Sequence, residues 1–296
     1  MQLGVVFPQV DIGTDPAVIR AFARAIEGAG FDHLLAFDHV LGADPSRFEG
    51  PVAGFPSAPF TAEHPIHEVF TLFAYLAAIT EDLQFFTSVL LLPQRQTALV
   101  AKQAAEVDIL SGGRLRLAVG VGWNYAEYEG MGADFHNRGA RLDEQIEVLR
   151  QLWSQPIVTF EGRWHHLDRL GINPLPFRPV PLWIGSGPGE KSLRRVARVA
   201  EGWMPLLMPT DDLATAIRDV RRYTEEAGRD PAELSVEARI AVNQGDSDGW
   251  RRRAEELRAL GVTHLTLFSG RGQGFTAARH IEKLLGGRQA VLAAVS

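Results

Sequence analysis

Asp38 and His39 stand side by side directly after a short apolar run, Phe31–Phe37. A carboxylate beside an imidazole can orient a substrate or pass a proton near neutral pH. The same pair also reads as a loop cap next to a solvated imidazole, and position does not separate the two. Three further segments could hold a ligand. Thr87-Ser88-Val89 ends another apolar run in small and β-branched residues, against which a flat ring could lie, although a buried strand end needs the same residues. Gly120-Val121-Gly122-Trp123-Asn124 combines two glycines that permit close backbone approach with an aromatic wall in Trp123. Gly185-Ser186-Gly187-Pro188-Gly189 runs into a helical pattern, so exposed amides and the Ser186 hydroxyl would seat a phosphate; a tight turn is the plainer reading.

Other chemistries fit less well. With no cysteine in the chain, disulfides, thiolate metal sites and a cysteine nucleophile are excluded. The glycine loop lacks a Walker lysine and the first strand carries no dinucleotide fingerprint, which disfavours nucleotide hydrolysis and a Rossmann NAD site. Glu63-His64-Pro65-Ile66-His67-Glu68 lacks the HExxH spacing, and Pro65 interrupts a helix, so no metal site is expected there. His165 and His166 fall in a predicted hairpin and point to opposite faces. Arg194, Arg195 and Arg198 read as a solvated helix face from which one could reach an acidic cofactor tail. A formal charge of -6 disfavours a nucleic-acid partner. The start Met1-Gln2-Leu3-Gly4-Val5-Val6-Phe7 reads as a strand rather than a leader, and no run approaches the ~20 apolar residues of a membrane span. A cytoplasmic protein is expected.

The elements that must position these residues alternate nearly from end to end. Strands are expected at Leu3–Phe7, Phe31–Phe37, Gln84–Val89, Leu115–Val119, Leu182–Ile184, Trp203–Leu206, Leu234–Val242 and Val262–Phe268. Amphipathic helices follow them, the last expected over Thr276–Leu285. Eight strands alternating with eight helices over 296 residues predict an α/β fold, one (β/α)8 TIM barrel spanning residues 1–296 as a single domain. In such barrels chemistry sits on the loops after the strands, where the four segments above fall. Residues 38–66 and 154–181, the latter containing a small hairpin, are too long for ordinary connections and are expected to cover the C-terminal face.

With these segments in place the chain resembles the luciferase-like monooxygenase superfamily, on the branch that uses the deazaflavin coenzyme F420. The resemblance rests on Phe37-Asp38-His39-Val40, on Thr87-Ser88-Val89-Leu90-Leu91-Leu92-Pro93 and on Ala101-Lys102-Gln103-Ala104-Ala105-Glu106-Val107-Asp108. It continues through Leu110-Ser111-Gly112-Gly113-Arg114, Gly120-Val121-Gly122-Trp123, Pro181-Leu182-Trp183-Ile184-Gly185 and Ala200-Glu201-Gly202-Trp203. It implies that Asp38 contacts the cofactor ring and that His39 lies beside the substrate. It further implies that Ser88-Val89 forms a bulge, often with a non-proline cis peptide, and that Gly185-Ser186-Gly187 binds the cofactor phosphate. Where some deazaflavin dehydrogenases carry an acidic proton donor after the Gly-x-Gly, this chain has Trp123, which points away from a sugar phosphate and towards an apolar substrate; Glu127 or Glu129 could supply the acid. The implied enzyme is an F420-dependent oxidoreductase with His39 and Asp38 as catalytic residues. The alternative is an FMN-dependent monooxygenase fed reduced flavin by a separate reductase. The resemblance also implies a homodimer and a separate cofactor-reducing enzyme as partner.

Overall fold

The computed structural model describes residues 1–52, 55–206, 208–272 and 275–295. Strand β1 (Gln2–Val6) leads through α1 (Gln9–Ile12) into α2 (Pro16–Gly28) and β2 (His33–Ala36). After the first excursion, whose Ala53 and Gly54 lie outside the described residues, come α3 (Val69–Ala77), β3 (Gln84–Thr87) and β4 (Leu90–Leu91). Helix α4 (Thr97–Leu110) and β5 (Leu115–Gly120) follow. Helices α5 (Tyr125–Gly130) and α6 (Arg138–Ser154) precede an antiparallel hairpin, β6 (Val158–Glu161) with β7 (His166–Leu170). Four regular units complete the chain: β8 (Leu182–Ser186) with α7 (Glu190–Val199), β9 (Gly202–Pro205) with α8 (Thr210–Glu226), β10 (Ser235–Ala241) with α9 (Ser247–Ala259), and β11 (His264–Phe268) with α10 (Ala277–Val295).

Strands β1, β2, β3, β5, β8, β9, β10 and β11 pair in parallel in that order, and β1 pairs with β11, which closes the predicted eight-stranded barrel. Strand β4 resumes the line of β3 beyond residues 88 and 89 and pairs with β5. The period-2 alternation of the strands divides two cores. Leu3, Val5, Leu34, Phe85, Leu117 and Val119 face outwards into the shell of helices, where α2 contributes Ile19, Phe22, Ala23 and Ile26. That helix starts at a side-chain cap, with the Asp15 carboxylate accepting the Ala17 N–H at 2.8 Å and Pro16 in its first turn. The inward set is smaller: Leu35, Phe86, Ala118, Trp183 and Met204, together with buried His33, Glu237, His264 and Thr266.

Two elements depart from expectation. The third strand does not run unbroken to Val89, because the Ser88–Val89 peptide is cis and interrupts the pairing before Leu90. The last helix does not end at Leu285 but continues through Gly286 and Gly287 to Val295. A Cβ on Gly287 would lie 2.7 Å from Val242 Cγ1, so this glycine lets the helix press onto the barrel rather than ending it. Among the described residues no helix is long and apolar enough to cross a membrane.

Candidate active site

The ends of β2, β3 and β5 converge at the C-terminal mouth. The Asp38 carboxylate is buried there, with Oδ1 accepting Arg95 Nη2 at 2.7 Å and Oδ2 accepting the Leu91 N–H at 2.9 Å. Burial pushes its pKa above the usual carboxylate range, against the pull of the Arg95 guanidinium and the Leu91 N–H. Oδ2 thus joins the end of β2 to β4 and Oδ1 joins it to the segment before α4, and neither bonds His39.

His39 has another partner. Its Nδ1 lies 2.7 Å from Glu127 Oε2, the imidazole side chain being 9% exposed and the carboxylate fully buried. The second oxygen of Glu127 accepts the Val40 N–H at 2.7 Å, the Leu41 N–H at 3.3 Å and Gln94 Nε2 at 2.9 Å. Asn124 caps α5 through the Glu127 N–H at 3.2 Å and so fixes where that carboxylate stands. Burial alone would raise the pKa of Glu127, but the bond from His39 and the Val40 and Gln94 donors outweigh it and hold the group below its ordinary value. An ionised carboxylate on Nδ1 keeps that nitrogen protonated and leaves Nε2 as the position for proton exchange. Asp38, the sequence neighbour of this histidine, is not its partner; the structure supplies Glu127, one of the two glutamates left open by the sequence. Glu129, the other acidic candidate, is exposed and paired with Arg47 at 2.7 Å.

The walls around the imidazole are aromatic. Phe60 lies 5.0 Å and Trp123 5.9 Å from the His39 ring, Phe37 packs on Phe60, and Phe48 packs on Trp123. Val40 and Leu41, which follow His39, leave substantial apolar surface exposed at this rim. Phe48 and Phe60, which complete the recess, lie in the first excursion, where no periodicity marks one aromatic over another.

Beside this recess the cis peptide presents Val89 to the barrel mouth. A Cβ on Gly120 would fall 2.5 Å from Val89 Cγ2, and one on Gly185 would overlap Val89 Cγ1. The two glycines thus make room for a single valine. Gly122 has φ +65° and sits under Leu91, whose Cδ2 would be 2.8 Å from an added Cβ. Thr87 Oγ donates to the Ala118 carbonyl at 2.6 Å and ties β3 to β5. Ser88 Oγ accepts Arg239 Nη2 at 2.6 Å, and Ser186 Oγ accepts the Trp203 indole N–H at 3.1 Å. Gly187 is half-buried, and Gly189 begins α7, whose N-terminus no side chain caps. An apolar platform, aromatic walls and an open helix start fit a flat tricyclic ring carrying a phosphate.

The remaining polar candidates are engaged elsewhere. Arg195 and Arg198 both pair with Asp143, and Arg194 pairs with Glu190 and Glu226. His165 bonds Glu144 and Thr97 while His166 bonds Glu161, on opposite sides of the hairpin. His64 Nδ1 accepts the Thr61 N–H. Among the described residues no three histidine, aspartate or glutamate side chains gather as a metal site. Arg239 and Gln94 were not anticipated. The signal for the first was present, since Glu237 and Arg239 alternate with apolar neighbours in an otherwise buried strand.

A (β/α)8 barrel with a buried carboxylate–imidazole pair and an apolar platform at its C-terminal mouth has the form of an enzyme site. The chain belongs to the luciferase-like monooxygenase family, matching it over residues 1–294. It is 35% identical over 258 residues to an uncharacterised protein of Mycobacterium tuberculosis, covering 87% of this chain and 86% of that one. It is 32% identical to the pyrimidine monooxygenase RutA of Allorhizobium ampelinum, over 73% of this chain and 59% of RutA. It is 29% identical to the F420-dependent hydroxymycolic acid dehydrogenase of Mycobacterium tuberculosis, over 86% of this chain and 66% of that enzyme. An F420-dependent secondary alcohol dehydrogenase with an F420-acetone adduct shares the fold, with a TM-score of 0.77, 17% identity and coverage of 100% and 99%. The protein is an oxidoreductase of this family, and its relatives support a flavin or deazaflavin as cofactor.

Proposed function

We propose that this enzyme transfers hydride between coenzyme F420 and a small, fairly apolar organic substrate, in reduction of a C=C or C=N bond or in oxidation of an alcohol. The observation that carries the reading is the His39–Glu127 pair in an aromatic recess beside Val89. When bound, the deazaflavin supplies or accepts the hydride, and the protein supplies position and a proton path. Val89, packed on Gly120 and Gly185, would hold the ring. The Gly185-Ser186-Gly187 loop and the start of α7 hold the phosphate through N–H groups and the helix dipole. The aromatic walls exclude water and favour an uncharged substrate. His39 gives or takes the proton at Nε2, and Glu127 stabilises the imidazolium that forms when Nε2 takes a proton. Asp38 acts on this site through the Leu91 N–H, from beneath the platform. The reading makes residues 1–296 one catalytic domain of a cytoplasmic homodimer served by a separate cofactor-reducing enzyme; light scattering should give twice 32.5 kDa.

The similarity to RutA favours a second reading, in which FMN replaces the deazaflavin and a separate reductase supplies the reduced form. Parallel titrations of the purified protein with F420 and with FMN, followed by fluorescence quenching, separate the two. Tighter binding of F420 supports hydride transfer without oxygen. Preference for FMN sinks that assignment and directs the search to oxygen-dependent chemistry.

A further inference from the structure

Strand β10 carries two charged residues, Glu237 and Arg239, at alternate positions, so both side chains enter the barrel. Glu237 lies deep, its side chain 1% exposed, while Arg239 lies nearer the mouth at 18%. Arg239 Nε donates to Glu237 Oε1 at 3.2 Å and Nη2 donates to Ser88 Oγ at 2.6 Å, with Phe37 beneath the guanidinium at 6.0 Å. The other oxygen of Glu237 has no protein partner. The guanidinium therefore reaches across the barrel to the residue just before Val89 and is held there by groups on two strands. Packing alone does not call for a cation here, because an apolar side chain of similar length would span the gap at a lower desolvation cost. The neighbouring cations are engaged otherwise: Arg95 with Asp38, and Arg116 on Phe86 and Gln2 one layer down.

We propose that Arg239 contacts the cofactor ring and stabilises the negative charge it gains on reduction. This rests on the flavin or deazaflavin reading of the site. Hydride uptake brings one proton and two electrons, so the ring gains one net negative charge unless a second proton follows. A fixed guanidinium set beside the seat before that charge appears favours the reduced form over the oxidised one. Ser88 and Glu237 orient Arg239 with no contribution from the ring, so little reorganisation accompanies the charge.

The test compares wild type with Arg239→Met, Arg239→Lys and the double variant Arg239→Met/Glu237→Gln, which leaves no unpaired carboxylate in the barrel. Each is titrated anaerobically with oxidised and with borohydride-reduced F420, and with oxidised and dithionite-reduced FMN, by quenching of tryptophan fluorescence. Both methionine variants should lose at least tenfold more affinity for the reduced than for the oxidised form. That ratio corresponds to a fall of about 30 mV in the midpoint potential of the bound cofactor for each tenfold. Lysine should restore part of the difference. Equal weakening of both forms, or no weakening, overturns the assignment even though wild type binds. Failure of the wild type to bind either cofactor overturns the cofactor reading, and this inference with it.

Discussion

Glu127 decides what His39 can do. It holds Nδ1 in hydrogen-bonded contact and is itself held by Val40, Leu41 and Gln94, so the imidazole has one orientation. Replacing His39 with Asn should lower turnover by about 10²–10⁴-fold, the ordinary contribution of a positioned acid or base. Glu127→Gln keeps the shape and removes the charge, at a cost of about 1–3 kcal/mol in stability. Its pH signature follows from the depressed pKa of the native carboxylate. Stability from this group is complete above the unfolded value near 4.3 and is lost as pH falls through the lower folded value. Urea denaturation at pH 7 and pH 3.5 should therefore show a smaller acid loss in the Gln variant than in wild type; identical losses would refute the ionised state assigned to Glu127. Asp38→Asn removes the buried carboxylate on Arg95 Nη2, leaving that guanidinium with Glu68 at 3.4 Å, and should cost about 3–5 kcal/mol in cofactor-free protein. A stability change below 1 kcal/mol would show that the ion pair is not what holds the end of β2 to the segment before α4. His39 was legible as a chemical residue from its place after a strand. Its partner was one of two nearby glutamates, and only the fold, which brings residues 88 positions apart into contact, selects between them.

Elements cooperate most closely where β3, β5 and β8 meet under Val89. The strands themselves were readable, since each is a short apolar run bounded by turn residues and followed by an amphipathic helix. The break in β3 was not readable from periodicity, because Thr87, Ser88 and Val89 all suit an unbroken strand; the resemblance to a known family pointed to it. Gly120 was legible as a close approach and Gly185 as part of a phosphate seat, while the side chain packed against both is a valine of the same chain. Ala at Gly120 or Gly185 would collide with Val89 and should destabilise the protein by about 1–3 kcal/mol while displacing the platform. Val89→Ala removes the colliding methyls, so Gly185→Ala/Val89→Ala should recover part of the loss, a non-additivity that a double-mutant cycle measures. Strict additivity would mean that the glycines are needed for some other contact. The continuation of α10 past Gly286-Gly287 has the same character. A glycine pair predicts a helix end from local preference, and tertiary packing against Val242 overrides it.

At the scale of the whole barrel, the interior is partly polar, and this sets how the protein meets acid. His33 Nε2 lies 3.0 Å from Thr266 Oγ1, and the His264 ring sits 4.9 Å from Trp183 and 5.8 Å from Phe86. Burial, reinforced by the nearby Arg116 cation, lowers both imidazole pKa values, His264 to about 3 and His33 well below the ordinary value. Both residues therefore stay neutral in the folded protein where the unfolded chain would protonate them. The unfolded state binds more protons below about pH 6.5, so stability is complete above that value and falls as pH drops towards the folded values. Between pH 7 and pH 5 His264, with its folded value near 3, should cost about 2 kcal/mol by this route, and His33 adds a loss of the same sign. Urea denaturation at pH 7, 6 and 5 should show that decline in wild type. A His33→Gln/His264→Gln variant, whatever its stability at pH 7, should lose less stability over the same interval, by at least about 2 kcal/mol. If the variant declines as steeply as wild type, the acid sensitivity lies outside the barrel interior and the two histidines are accessible to protons in the native state.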